Sequence, residues 1–102
     1  MNESNFDKEV IRASGEKMVI VDFWASWCMP CRMLAPAIEK IAEELKDKVI
    51  VAKLNVDENK ALAAKYDIMS IPNVKLFKDG KVIDEFVGVK SEKEIKEWLE
   101  KK

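Results

Sequence analysis

The sequence contains no histidine and no glutamine, and only three glycines, three prolines and two cysteines among its 102 residues. Without histidine, Ser-His-Asp and Cys-His catalysis are excluded, as are most zinc constellations. No tract rich in Gly, Ser or Pro marks a linker, and there is no internal repeat or low-complexity segment. Residues 1–102 therefore predict one compact domain. No charge sign dominates: the net charge is -1, with acids and bases interleaved. A nucleic-acid surface needs a basic stripe, which is missing. Long apolar runs are missing too. Met18–Val21 is interrupted by Asp22, and nothing approaches the roughly 20 residues of a membrane span. The start, MNESNFDKEV, is polar and lacks the basic and apolar blocks of a signal peptide. These absences predict a cytoplasmic chain with no membrane or nucleic-acid partner. Thiols there are kept reduced, so a close cysteine pair is expected to be catalytic or metal-binding rather than a structural staple. Charged residues reach 36%, and with glutamine absent this balance fits a heat-adapted source.

Local patterns give an order of elements. Ser4 or Asn5 is placed to cap a short helix burying Phe6, Val10 and Ile11, ended by Gly15. MVIVDFWA (18–25) is a nearly continuous β-branched and aromatic run, as in a strand covered on both faces. From 29 to 46, Leu34, Ile38, Ile41, Ala42 and Leu45 recur at helical spacing. Pro30 suits the first turn of that helix, and Pro36 is expected to bend it near Arg32 and Met33. VIVAKLNV (49–56) reads as a second strand, and 58–66 as a short helix with Leu62, Ala63 and Tyr66 inward. NVKLFK and KVIDEFVG flank Asp79-Gly80, a hairpin signal. SEKEIKEWLEKK opens with a capping box, Ser91 with Glu94, and buries Ile95, Trp98 and Leu99. The order α-β-α-β-α-β-β-α predicts an α/β fold, a mixed sheet with helices on both faces.

Both cysteines lie in WCMPCRM (27–33), three positions apart. Cys28 falls where a strand's carboxyl end meets a helix N-terminus, so free N–H groups and the helix dipole should lower its thiol pKa. Cys31 lies one turn on, close enough for a small disulfide ring. Cys28 could attack a partner's disulfide, and Cys31 could then attack Cys28 and release the reduced partner. A metal site needs four ligands, and this chain offers two thiolates and no imidazole. A bridging site would require carboxylates or a second subunit.

Asp22 stands inside an apolar strand, where a carboxylate is costly unless paired or protonated. Burial should raise its pKa toward neutrality and let it exchange a proton with Cys31. Lys53, in the neighbouring strand run, could be its counter-charge, and a purely structural ion pair is the competing reading. Ile71-Pro72 precedes a strand; the residues alone leave its peptide isomer open.

Together, VDFWASWCMPCRMLAP (21–36), VAKLNVDEN (51–59), SIPNVKLFKDGK (70–81) and Val87-Gly88 resemble the thioredoxin family, from Phe6 to the end of the chain. The resemblance implies a thioredoxin-like fold and a protein-disulfide reductase. It implies that Cys28 is the exposed attacking cysteine and Cys31 the buried resolving one. Asp22 is then the acid assisting Cys31, with Lys53 beside it and Pro72 as a cis-proline facing the disulfide. Trp27, Val56, Ile71, Pro72, Val87 and Gly88 would line a shallow apolar groove for disulfide-containing target proteins. Electrons would come from a thioredoxin reductase fed by a nicotinamide or ferredoxin donor. There is no nucleotide-binding signature, so no cofactor of the chain's own is expected.

Three departures from the family pattern stand out. Met29 replaces the glycine of C-G-P-C, putting the redox potential and partner choice in question and adding a polarizable apolar surface beside Cys28. Asn73 replaces a threonine. The family's first strand is expected to be missing, since only MNESN, short and polar, precedes Phe6. The sheet should then have four strands, with 49–55 at an edge. That edge is expected to be covered by the N-terminal residues or a second molecule, or else protected by Lys53 and Asn55. A monomer is expected, with a weak dimer through this edge as the variant. The competing functions are a disulfide oxidant or isomerase on the same fold, and a binding module docking according to redox state.

Overall fold

In the computed structural model, residues 3–102 are described. A helical segment, α1, begins at Glu3–Phe6 and continues through a wider π-type stretch, Asp7–Arg12, and a tight turn, Ala13–Gly15. Because the chain is already helical at Glu3, neither Ser4 nor Asn5 stands at its N-cap, contrary to expectation. Phe6 and Val10 are buried as expected, and Ile11 is half-buried.

The remaining elements are β1 (Met18–Trp24), α2 (Met29–Glu44), β2 (Val49–Asn55), α3 (Lys60–Lys65), β3 (Asn73–Lys78), β4 (Lys81–Val87) and α4 (Glu92–Glu100). The four strands form one mixed sheet in the order β2-β1-β3-β4. β1 pairs parallel with β2 and antiparallel with β3, and β3 pairs antiparallel with β4. Helices therefore connect the parallel pair, while two residues suffice for the hairpin.

The alternation of each strand feeds two cores. On one face Ile20, Leu76 and Phe86 pack against Leu34, Ile38 and Ile41 of α2 and Ile95 and Leu99 of α4. On the other face Val19, Val21, Phe23 and Phe77 pack against Phe6 and Val10 of α1 and Leu62 of α3. With layers on both sides, the middle of β1, Val19 to Phe23, is fully buried, which is why it reads as a nearly continuous apolar run broken only by Asp22. α2 continues through Pro36, which has no N–H to give to the Arg32 carbonyl.

Two local signals fold as read. Asp79 and Gly80 take φ of 51° and 80°, the paired left-handed conformations of a tight hairpin turn. At α4 the Ser91 hydroxyl accepts from the Glu94 N–H at 3.1 Å, and the Glu94 carboxylate accepts from the Ser91 N–H at 3.0 Å. A longer-range tie fixes the hairpin to the end of α1. The Ser14 hydroxyl accepts from the Gly80 N–H at 2.7 Å and donates to the Ile11 carbonyl at 2.7 Å. The Ser14 carbonyl accepts from the Asp79 N–H at 2.9 Å.

β2 is a sheet edge. Among the described residues no strand lies on its outer side, and its Ile50, Val51, Lys53 and Asn55 are half-buried. The loop beyond it folds back on its last residue: the Asn55 carbonyl accepts from Asn59 and its side chain accepts from the Asp57 N–H. Any cover from residues 1 and 2 lies outside the described residues.

Candidate active site

The carboxyl ends of β1, β2 and β4 and the start of β3 lie at one end of the sheet. The turn from β1 into α2 carries the cysteines. Cys28 is the N-cap of α2 in an extended conformation, and Met29 and Pro30 open the helix, where the proline costs no hydrogen bond. Cys28 and Cys31 form a disulfide, with Cα atoms 5.3 Å apart. The Cys28 sulfur also accepts the Cys31 N–H at 3.2 Å. When the bond is reduced, that N–H and the helix N-terminus favour negative charge on Cys28 over Cys31.

Exposure separates the cysteines less than the resemblance implied. Cys28 is 5% exposed and Cys31 2%. Both pack in a small cluster with Ala25, against Trp24, Val56 and Ile71. The accessible surface belongs instead to their neighbours, Trp27 at 69% and Met29 at 62%. The Cys28 sulfur is thus reached only past large, exposed apolar side chains.

The Ile71–Pro72 peptide bond is cis. The Ile71 carbonyl oxygen lies 3.8 Å from the Cys28 sulfur, and the Pro72 carbonyl accepts the Gly88 N–H at 2.9 Å. These two contacts stitch the loop before β3 to the cysteine turn on one side and to the end of β4 on the other. Gly88 has φ of 96°, a conformation that strains any side-chain-bearing residue. Pro72 itself is buried, so its ring is not part of the open groove surface that was expected of it. Ile71, Val56 and Gly88 are half-buried, and Val87 is exposed. The Val56 N–H donates to the Trp24 carbonyl at 2.9 Å, holding the end of β2 beside the cysteine turn. The result is a shallow apolar surface rather than a cavity. A depression of about 480 Å3 lies away from it, between Tyr66 and the outer residues of β4.

Asp22 is fully buried, and neither carboxylate oxygen has a hydrogen-bond partner. Alternation along β1 puts it on the α2 face, between Ile20, which packs on α2, and Trp24, which packs on the cysteine cluster. Burial pushes its pKa up to about 6, and the positive charge of Lys53 opposes part of that rise. The structural ion pair does not form. Lys53 is the register partner of Asp22, but its ammonium lies over the Trp24 ring, 5.1 Å from the centroid. Lys53 acts on Asp22 through the field alone.

Asp57 was not anticipated from the sequence. Its carboxylate accepts the Trp27 indole N–H at 2.7 Å, fixing the most exposed aromatic ring beside Cys28. The available signal was its place: an acid two residues past the carboxyl end of β2, at the end of the sheet that holds the cysteines. Asn73, expected to be a mild departure, is buried with its side-chain carbonyl unpartnered. Among the described residues, no group of three or more Cys, Asp or Glu is placed to hold a metal. No helix among them is long and apolar enough to cross a membrane.

The sequence model of the thioredoxin family matches residues 1–101. The chain is 46% identical over 99 residues to a thioredoxin of Rickettsia bellii, covering 97% of this chain and 92% of that one. It is 51% identical over 86 residues to a thioredoxin of Chlorobaculum thiosulfatiphilum, covering 84% and 78%. It is 44% identical over 99 residues to a thioredoxin of Alicyclobacillus acidocaldarius subsp. acidocaldarius, covering 97% and 91%.

Proposed function

The chain belongs to the thioredoxin family, and on that premise we propose a division of labour among the residues around its cysteine pair. It is a thiol–disulfide oxidoreductase that reduces disulfides in other proteins through a redox-active Cys28/Cys31 pair. Cys28 makes the attack. Its thiolate displaces one sulfur of the target disulfide, forming a mixed disulfide and releasing one target thiolate. Cys31 then attacks the Cys28 sulfur, closing the Cys28–Cys31 bond and freeing the second target thiolate. The observation that carries this assignment is the Cys31 N–H donated to the Cys28 sulfur at the start of α2, since it favours charge on Cys28 alone.

Asp22 is the base for the second step. An unpartnered buried carboxylate with a pKa near 6 can take the Cys31 proton and return it when the pair is reduced again. Lys53 tunes it, and Pro30 keeps the helix start intact. Trp27, Met29, Val56, Ile71, Val87 and Gly88 form the groove for an extended apolar target segment, with Pro72 holding its floor. A reductase of the thioredoxin type supplies the electrons, so the chain acts in electron transport between that enzyme and its targets.

Residues 1–102 act as one domain, cytoplasmic and monomeric, with the β2 edge as the route to a weak dimer. Heat adaptation is supported by the ion pairs that join α2 to α4, where Lys96 bridges Glu44 and Glu92 and Lys40 adds to Glu44. The test of the attack assignment is the rate at which a disulfide-linked protein is reduced in the presence of a thiol reductant. Cys28→Ser should abolish the acceleration; full activity in that variant would refute the assignment.

A further inference from the structure

Among the described residues, three methionines stand out in solvent. Met29 is 62% exposed, Met33 62% and Met69 91%. Two of them neighbour the cysteine site along the chain: Met29 follows Cys28 directly, and Met69 lies two residues before Ile71, whose carbonyl is 3.8 Å from the Cys28 sulfur. In the disulfide state the cysteines are bonded to each other and almost inaccessible. Met18 is half-buried. The oxidisable sulfur that solvent meets at this end of the molecule is therefore thioether, not thiol.

We propose that Met29 and Met69 are oxidation sites through which hydroperoxides weaken the docking of apolar target segments. The inference rests on the reading of the surface around Cys28 as the target groove. In the reaction the thioether sulfur attacks one peroxide oxygen. The O–O bond breaks, an S–O bond forms, and the other oxygen leaves as water or an alcohol. The sulfur is oxidised by two electrons to the sulfoxide, and the peroxide is reduced by the same two. A flexible apolar side chain becomes a polar one. Contacts between Met sulfur and aromatic target side chains are lost with it. The Cys28–Cys31 chemistry is untouched, so the effect falls on which targets bind rather than on whether exchange occurs. A methionine sulfoxide reductase would reverse it.

The disulfide state makes the test clean, because the cysteines are already protected. The oxidised protein is treated with hydrogen peroxide, cleared of it, and assayed after a thiol reductant regenerates the dithiol; thiols do not restore the thioethers under these conditions. Mass spectrometry should show one added oxygen at Met29 and at Met69. Against a peptide disulfide flanked by phenylalanine, kcat/KM should fall about fivefold, with the change in KM. Against one flanked by serine and glycine it should hardly move. Each protein is compared with its own untreated sample: the M29L/M69L double variant should show no drop, whereas M33L should drop like the parent. A parent oxidised at both positions that keeps its kcat/KM, or a double variant that falls equally, would overturn the proposal. If the untreated parent already reduces both peptides equally, the apolar groove reading itself fails, and this inference fails with it.

Discussion

Asp22 and Lys53 are register partners across β1 and β2, yet the Lys53 ammonium rests over the Trp24 ring and leaves both Asp22 oxygens without a hydrogen bond. The carboxylate therefore keeps most of its desolvation penalty, and its pKa stands near 6. A closed ion pair would have held it ionised at all physiological pH and unfit to accept a proton. The proton exchange proposed for Asp22 at Cys31 rests on this unpaired state.

The raised pKa has a sign in stability. Asp22 titrates near 4 when unfolded and near 6 when folded, so between these values the folded state binds the extra proton. Its contribution is fully present below about pH 4 and is lost as pH rises through 6. Urea unfolding of the oxidised protein should show a decline of about 2 kcal/mol from this group between pH 4 and 7. Asp22→Asn should flatten that decline and be the more stable protein at pH 7. It should also slow the release of reduced target.

Asp57 holds the Trp27 ring by a hydrogen bond to its indole. Asp57→Ala should free the ring and lower kcat/KM for protein disulfides by about threefold, a loss of the size expected for one exposed hydrogen bond. Asp57→Asn, which keeps an acceptor, should recover most of it. Trp27 fluorescence in the two variants checks that the ring, and not the cysteine turn, has moved.

Ser14→Ala should cost about 1–2 kcal/mol, because it strips the acceptor from the Gly80 N–H and unties the hairpin from α1. Denaturant unfolding measures it. The disulfide-reduction rate below the transition should not change, since Ser14 lies at the opposite end of β1 from Cys28.

What the sequence made legible was local. The nearly continuous apolar run over β1, the Asp79-Gly80 turn, the Ser91–Glu94 box and the C-x-x-C spacing each carry their geometry within a few residues. The four strands were also readable, each from its own apolar or alternating run, and among the described residues they form one sheet. Less legible were pairings set by packing. Trp27 and Asp57 are thirty residues apart, and Ser14 meets Gly80 across sixty-six. Neither pair breaks a periodicity or forms a motif. The closed Asp22–Lys53 ion pair fails for a related reason: register places Lys53 opposite Asp22, where its charge is felt, but its long side chain lies over Trp24. The burial of Cys28 escaped notice because helix position predicts its charge preference and not how closely Ala25, Val56 and Ile71 pack around it.

The asymmetry of the two cysteines is open to trapping of the mixed disulfide. Cys31→Ser, mixed with an excess of a disulfide-linked target and quenched with acid, should accumulate a covalent mixed disulfide through Cys28, identified by peptide mass mapping. Cys28→Ser should accumulate none on the same timescale. A mixed disulfide formed equally fast through Cys31 in the Cys28→Ser protein would contradict the account.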